Sequence, residues 1–141
     1  MEKHSDLIKA LEDYVHHFNS GDSEKVAGYY AKDAVIAPPV GPELNGRGPI
    51  QFYYRQTFQQ MAPQLSDYRP VFEVMGDRVV VRETWSVALG QPAGRHFETT
   101  GRGLWLARKD PGEDWSGMQV VWSLARFDKP LPDWLRQDSQ D

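Results

Sequence analysis

The apolar positions of this chain change period once, near Pro63. Before it they follow helical spacing. Leu7, Ile8, Leu11, Tyr14, Val15 and Phe18 recur three and four residues apart, which predicts an amphipathic helix with one apolar face. Asn19-Ser20-Gly21 ends that helix, because Gly tolerates the left-handed conformation that other residues avoid. Asp22 can cap a second, shorter helix running through Tyr30. Lys32-Asp33 turns the chain into a short strand over 34–37, and Pro38-Pro39 ends it. After Gly46-Arg47-Gly48, Pro49 suits the first position of a third helix that places Ile50, Tyr54, Phe58 and Met61 on one face.

Beyond Pro63 the apolar residues alternate. Strands are predicted over 71–75, 78–89, 95–109 and 115–127, separated by Gly76-Asp77, by the loop Gly90-Gln91-Pro92-Ala93-Gly94 and by Asp110-Pro111-Gly112. Three helices followed by a four-stranded antiparallel meander make an α+β domain. One domain over 1–141 is expected, with its core at about 7–127. The tail, 128–141, is polar and interrupted by Pro. Its Trp134 and Leu135 either dock back over the body or leave the segment loose.

Composition narrows the class. Hydrophobic residues at 40% and charged residues at 26% are ordinary globular usage, which argues against disorder. A net charge of -4 with scattered basic residues argues against a nucleic-acid partner. The absence of Cys excludes disulfides and Cys-based zinc sites. The N-terminal segment is charged and amphipathic, unlike a signal peptide, and no apolar run is long enough to span a membrane, so a cytoplasmic location is expected. Four histidines in no metal-ligand spacing predict no metal, and no nucleotide-binding signature implies a cofactor.

The order helix, Gly-Asp, helix ending in Tyr, Asp-Ala, apolar strand, Gly-Arg-Gly and helix resembles the nuclear transport factor 2-like superfamily, which includes SnoaL-like cyclases and ketosteroid isomerases. The resemblance covers roughly 7–127. It implies a cone-shaped α+β barrel in which the curved sheet wraps the helices around an apolar pocket. It also implies a homodimer formed through the outer sheet face, to which the outward residues His96, Glu98, Thr100 and Arg102 are suited. Tyr14, Tyr30 and Tyr54 match three hydrogen-bonded pocket tyrosines of the isomerases, and Tyr14 holds the place of the donor to the enolate oxygen.

The acidic machinery of those relatives is missing. Pro38, beside Ala37, stands where the isomerases keep their carboxylate base. Trp105 replaces a protonated aspartic acid, and Val120 replaces an acidic residue of SnoaL-like relatives. The chain is therefore not expected to be a ketosteroid isomerase. His17, three residues from Tyr14, or a bound water is the candidate base. If Trp105 and Trp122 face inward, Phe97, Thr99, Gly101, Gly103, Met118, Val120 and Leu124 share that face.

The strand over 78–89 has two readings. The resemblance puts Arg82, Thr84 and Ser86 inside; the apolar content instead favours Val79, Val81, Glu83, Trp85 and Val87. Gly101-Arg102-Gly103 reads as close backbone packing, and Arg47 as a brace for the loop before it. Phe18, Tyr30, Tyr54, Arg82, Trp85, Trp105, Met118, Val120 and Trp122 are the expected contacts to a small hydrophobic molecule. The function expected is binding of such a molecule, with isomerase, cyclase or hydratase/dehydratase-type chemistry on a carbonyl-bearing apolar substrate; the alternative is a non-catalytic ligand-binding or dimeric assembly domain.

Overall fold

The computed structural model describes residues 4–90 and 94–135. Most of the loop predicted over 90–94, and the last part of the tail, lie outside the described residues. The helices are α1 (Ser5–Asn19), α2 (Ser23–Ala27) and α3 (Arg47–Met61). The strands are β1 (Tyr30–Ala37), β2 (Leu44–Asn45), β3 (Gln64–Met75), β4 (Arg78–Gly90), β5 (His96–Arg108) and β6 (Gln119–Phe127). They form one curved, open sheet in the order β2-β1-β6-β5-β4-β3. All neighbours are antiparallel except β1 and β6, which run parallel. This is the α+β architecture of three helices on a curled sheet.

Local chemistry explains where the elements begin and end. The Asp22 side chain accepts from the Lys25 backbone N–H at 3.0 Å and starts α2, as expected. That helix ends at Ala27, sooner than predicted: the Gly28 N–H closes onto the preceding carbonyls, and the Tyr29 carbonyl accepts from Val120 N–H at 2.7 Å. Tyr30 therefore opens β1 and does not close a helix. Helix α3 begins two residues before Pro49, with Gly46 at φ 94° as its cap. Trp115 falls in a 3-10 turn (Trp115–Gly117) ahead of β6, where its N–H donates to Asp6 of α1 at 2.7 Å.

Two groups of buried side chains fill the curl. The larger joins Leu7 and Leu11 of α1, Val26 of α2 and Ile50 of α3 to Val79 and Val81 of β4. The smaller sits at the other end of β4, where Trp85, Val87 and Leu89 meet Leu131 and Leu135. The tail through Leu135 thus docks back, with both leucines buried. Asn19 fastens the C-terminal end of α1 to β3: its side chain donates to Leu65 O at 3.0 Å and accepts from Leu65 N–H at 2.7 Å. No helix among the described residues is long and apolar enough to cross a membrane.

Candidate functional site

Three elements deliver one hydroxyl each to the same point. Tyr14 comes from α1, Tyr30 from the first position of β1 and Tyr54 from α3. Their hydroxyl oxygens lie 3.2 Å (Tyr14–Tyr30), 3.5 Å (Tyr14–Tyr54) and 3.0 Å (Tyr30–Tyr54) apart. Arg47 donates from Nε at 3.0 Å and from Nη2 at 2.7 Å to the Tyr30 carbonyl. Its brace therefore acts on β1 and fixes one corner of the triangle. Burial pushes Tyr14 and Tyr54 well above the ordinary phenol value. It pushes Tyr30 to about 12, although hydrogen bonds from Tyr14 and Tyr54 pull the other way. All three are protonated at neutral pH. An acceptor entering the triangle meets a donor whose own oxygen the other two hydroxyls can support.

The inward face of β4 supplies the complementary group. Val79, Val81, Trp85, Val87 and Leu89 are buried on that face, and among them stands one carboxylate, Glu83. Its Oε1 accepts from the Tyr68 hydroxyl at 2.8 Å, and its Oε2 accepts from the Trp85 indole N–H at 3.2 Å. The Trp105 indole is a third donor. Burial raises the pKa of Glu83 above the usual carboxylate value, and these three hydrogen bonds oppose the rise. A carboxylate has about four lone-pair sites, so three donors leave roughly one free to receive a proton.

Space for this carboxyl comes from small residues in the same cross-strand row. Glu83 pairs with Gly103 of β5, which pairs with Ala125 of β6. A Cβ at position 103 would lie 2.6 Å from Glu83 Oε2, and one at position 101 would lie 2.3 Å from the Trp85 ring. The close packing expected of Gly101-Arg102-Gly103 is thus packing against Glu83 and Trp85. The hollow row leaves a cavity of about 100 Å³. The tyrosine triangle and Glu83 both line it, with Phe18, Trp85, Trp105 and Phe127 among its walls. Among the described residues that line it, Glu83 is the sole Asp, Glu, His, Lys or Arg.

The expected residues divide. Tyr14, Phe18, Tyr30, Tyr54, Trp85, Trp105 and Val120 line the cavity. Met118 is buried in the larger core cluster and does not reach it. His17 also stays outside, its ring 6.2 Å from that of Tyr29. Arg82 is exposed, so of the two readings of β4 the apolar content indicated the correct face. Trp122 is a second correction: it is 38% exposed on the outer face. The β5–β6 register slips there, Leu106 opposing Trp122 while Ala107 opposes Val120. The extra residue, Val121, reverses the alternation, so Val120 faces inward but Trp122 does not. Leu124 is half-exposed beside it yet still borders the cavity, and Ser123, Ala125 and Phe127 take the inward places.

Glu83 and Tyr68 were missed as functional residues. Glu83 had a visible signal, one carboxylate in a stripe of Val and Trp; Tyr68 lay ahead of the strand predicted over 71–75, which in the structure begins at Gln64.

A family profile described as SnoaL-like domain matches residues 11–116. No curated protein matches the sequence. Solved structures share the fold at low identity. A ketosteroid isomerase-like protein from Erwinia carotovora atroseptica superposes with a TM-score of 0.78 at 21% identity, covering 92% of this chain and 98% of that one. A nuclear transport factor 2-like family protein from Streptomyces avermitilis, provisionally assigned as a dehydratase, gives 0.73 at 18% identity, covering 90% and 98%. A nuclear transport factor 2-like superfamily protein from Salmonella enterica gives 0.69 at 19% identity, covering 88% of each chain.

Proposed function

This chain belongs to the SnoaL-like domain family, and on that premise we propose that it moves a proton next to the carbonyl of a small, uncharged, apolar substrate. The observation that carries the reading is Glu83, a lone carboxylate in an aromatic cavity that the tyrosine triangle also lines. In the proposed reaction Glu83 takes a proton from the carbon beside the carbonyl, and the C–H electron pair passes into an enolate. A hydroxyl of the triangle, with Tyr14 in the family position, donates to the enolate oxygen. With a β,γ-unsaturated substrate the enolate is a dienolate, and Glu83 returns the proton to its γ-carbon (isomerisation); with a β-hydroxyl substrate the enolate expels the hydroxyl, which takes the proton from Glu83 and leaves as water (dehydration). A raised carboxylate pKa suits the base, since proton acceptors work best when their pKa approaches the working pH.

Substrate class follows from the lining. No Lys or Arg faces the cavity among its described residues, so an anion would lose water there without a counter-charge. A volume of about 100 Å³ is of the order that holds a single ring.

The outer sheet face suits a second copy of the chain. Trp122, Leu106 and Val80 form one cross-strand row, and Leu124, Leu104, Arg82 and Val71 the next. Val71, Trp122 and Leu124 are exposed, and an isologous dimer would cover them. Sedimentation should show a dimer that Trp122→Glu dissociates; a parent that is monomeric at tens of micromolar excludes it.

The function is tested by proton exchange. Cyclic ketones of one and two rings are incubated with the protein in deuterium oxide, and exchange beside the carbonyl is followed by NMR. The parent should accelerate exchange. Glu83→Gln should remove the effect by about a hundredfold or more, and Tyr14→Phe by about a hundredfold. No acceleration with any ketone, or equal rates for parent and Glu83→Gln, would refute the proposal.

A further inference from the structure

Tyr68 stands apart from the tyrosine triangle. It lies on β3, and the β3–β4 register slips around it: Ser66 opposes Ser86, Arg69 opposes Thr84, and Asp67 and Tyr68 share the interval. Asp67 takes φ 51°, a left-handed conformation that Asp tolerates better than most residues, and the Arg69 Nε donates to its Oδ1 at 2.9 Å. This bulge re-aims one side chain. Along β3 the inward positions are 65, 68, 70, 72 and 74, so the alternation is broken at Tyr68 alone. The Asn19 clasp on Leu65 holds the segment just before the bulge against α1.

We propose that Tyr68 is the positioning residue for Glu83: the bulge at Asp67 brings its hydroxyl onto Oε1, where it orients the carboxylate and sets the pH at which that carboxylate can accept a proton. The proposal rests on the reading of Glu83 as the base. Geometry supports it on both sides of the carboxyl. Tyr68 holds Oε1, while Trp85 holds Oε2 in the room left by Gly103. The titratable groups facing Glu83 are Tyr68 from β3, Tyr30 from β1 and Tyr54 from α3. Tyr30 and Tyr54 bond to one another and to Tyr14, whereas the Tyr68 hydroxyl donates to the carboxylate itself. Burial and the neighbouring Glu83 both push the Tyr68 phenol up, so it is protonated wherever Glu83 ionises. Because it donates to the charged form, removing it should make the carboxyl harder to ionise.

The test is carboxyl-carbon NMR of protein with labelled Glu, the Glu83 signal being assigned through Glu83→Gln. In Tyr68→Phe the Glu83 midpoint should move up by about one pH unit, a tenfold change in proton affinity, and the pH profile of ketone exchange should move with it. A midpoint that stays in place overturns the proposal. A second measurement needs only the parent protein: the labelled ring carbon bearing the Tyr68 hydroxyl should shift in step with Glu83, and a flat trace across that midpoint also overturns it. Both signals are read without substrate. Glu83 and Tyr68 titrating together in a protein without ketone exchange would therefore sink the proposed function and leave this coupling standing.

Discussion

The tyrosine triangle and the Glu83 cradle are both buried polar clusters on one cavity, yet they solve burial in opposite ways. The triangle is neutral and self-sufficient: three hydroxyls supply one another, so each has a partner within the cluster. The cradle is charged and dependent, a single carboxylate needing donors from three other side chains. The triangle is made by residues on helix faces and a strand end, wherever such faces converge. The cradle needs departures from regular structure: a bulge to deliver Tyr68 and two glycines to admit Glu83 and Trp85. One cluster donates, the other accepts, and the wall between them is shared, since the Trp105 ring lies 6.3 Å from that of Tyr14.

The contrast predicts that the cradle is the more fragile of the two. Gly101→Ala should be the most damaging substitution, destabilising by about 2–3 kcal/mol in urea unfolding. Its Cβ would meet the Trp85 ring at 2.3 Å and the Arg126 carbonyl at 2.8 Å, and that backbone oxygen cannot step aside. In the triangle, Tyr54→Phe removes one hydroxyl from a set that can re-pair, and should lower stability by only about 1 kcal/mol. Equal losses for the two variants would erase the distinction.

The smallest effect concerns pH. Burial raises Glu83 in the folded chain above its value when unfolded, near 4.5, so over an interval of pH the folded chain retains a proton that the unfolded chain has released. This contribution is fully present below the unfolded value, declines as pH rises through the raised folded value, and then levels off. Unfolding free energies of the parent minus those of Glu83→Gln should therefore fall as pH rises above about 4.5, through the raised folded value. A difference that is flat or rises would mean that Glu83 is not desolvated.

The sequence made the triangle readable because helix periodicity survives in the fold. Tyr14 shares the stripe of Leu7, Leu11 and Phe18, and Tyr54 shares that of Ile50 and Phe58. The cradle was hidden because strand alternation holds only while the register does. Val121 and Asp67 each add a residue to one strand, and nothing local in Gln119-Val120-Val121-Trp122 marks the slip that turns Trp122 outward. Strand β4 has no slip against β5, and there the apolar stripe gave the correct face. Its one carboxylate could have been singled out as the missing base, a role given instead to His17.

That the two clusters act as one site is tested most directly by 4-nitrophenol, a single-ring acid whose colour distinguishes phenol from phenolate and whose anion resembles an enolate. At a pH where the free compound is mostly neutral, binding to the parent should generate the phenolate band, its proton passing to Glu83 and its oxygen taking a hydrogen bond from the triangle. Glu83→Gln should bind it without that band, and Tyr14→Phe should bind it about ten- to a hundredfold more weakly. A parent that binds only the neutral phenol, with the spectrum and affinity of Glu83→Gln, would contradict the account.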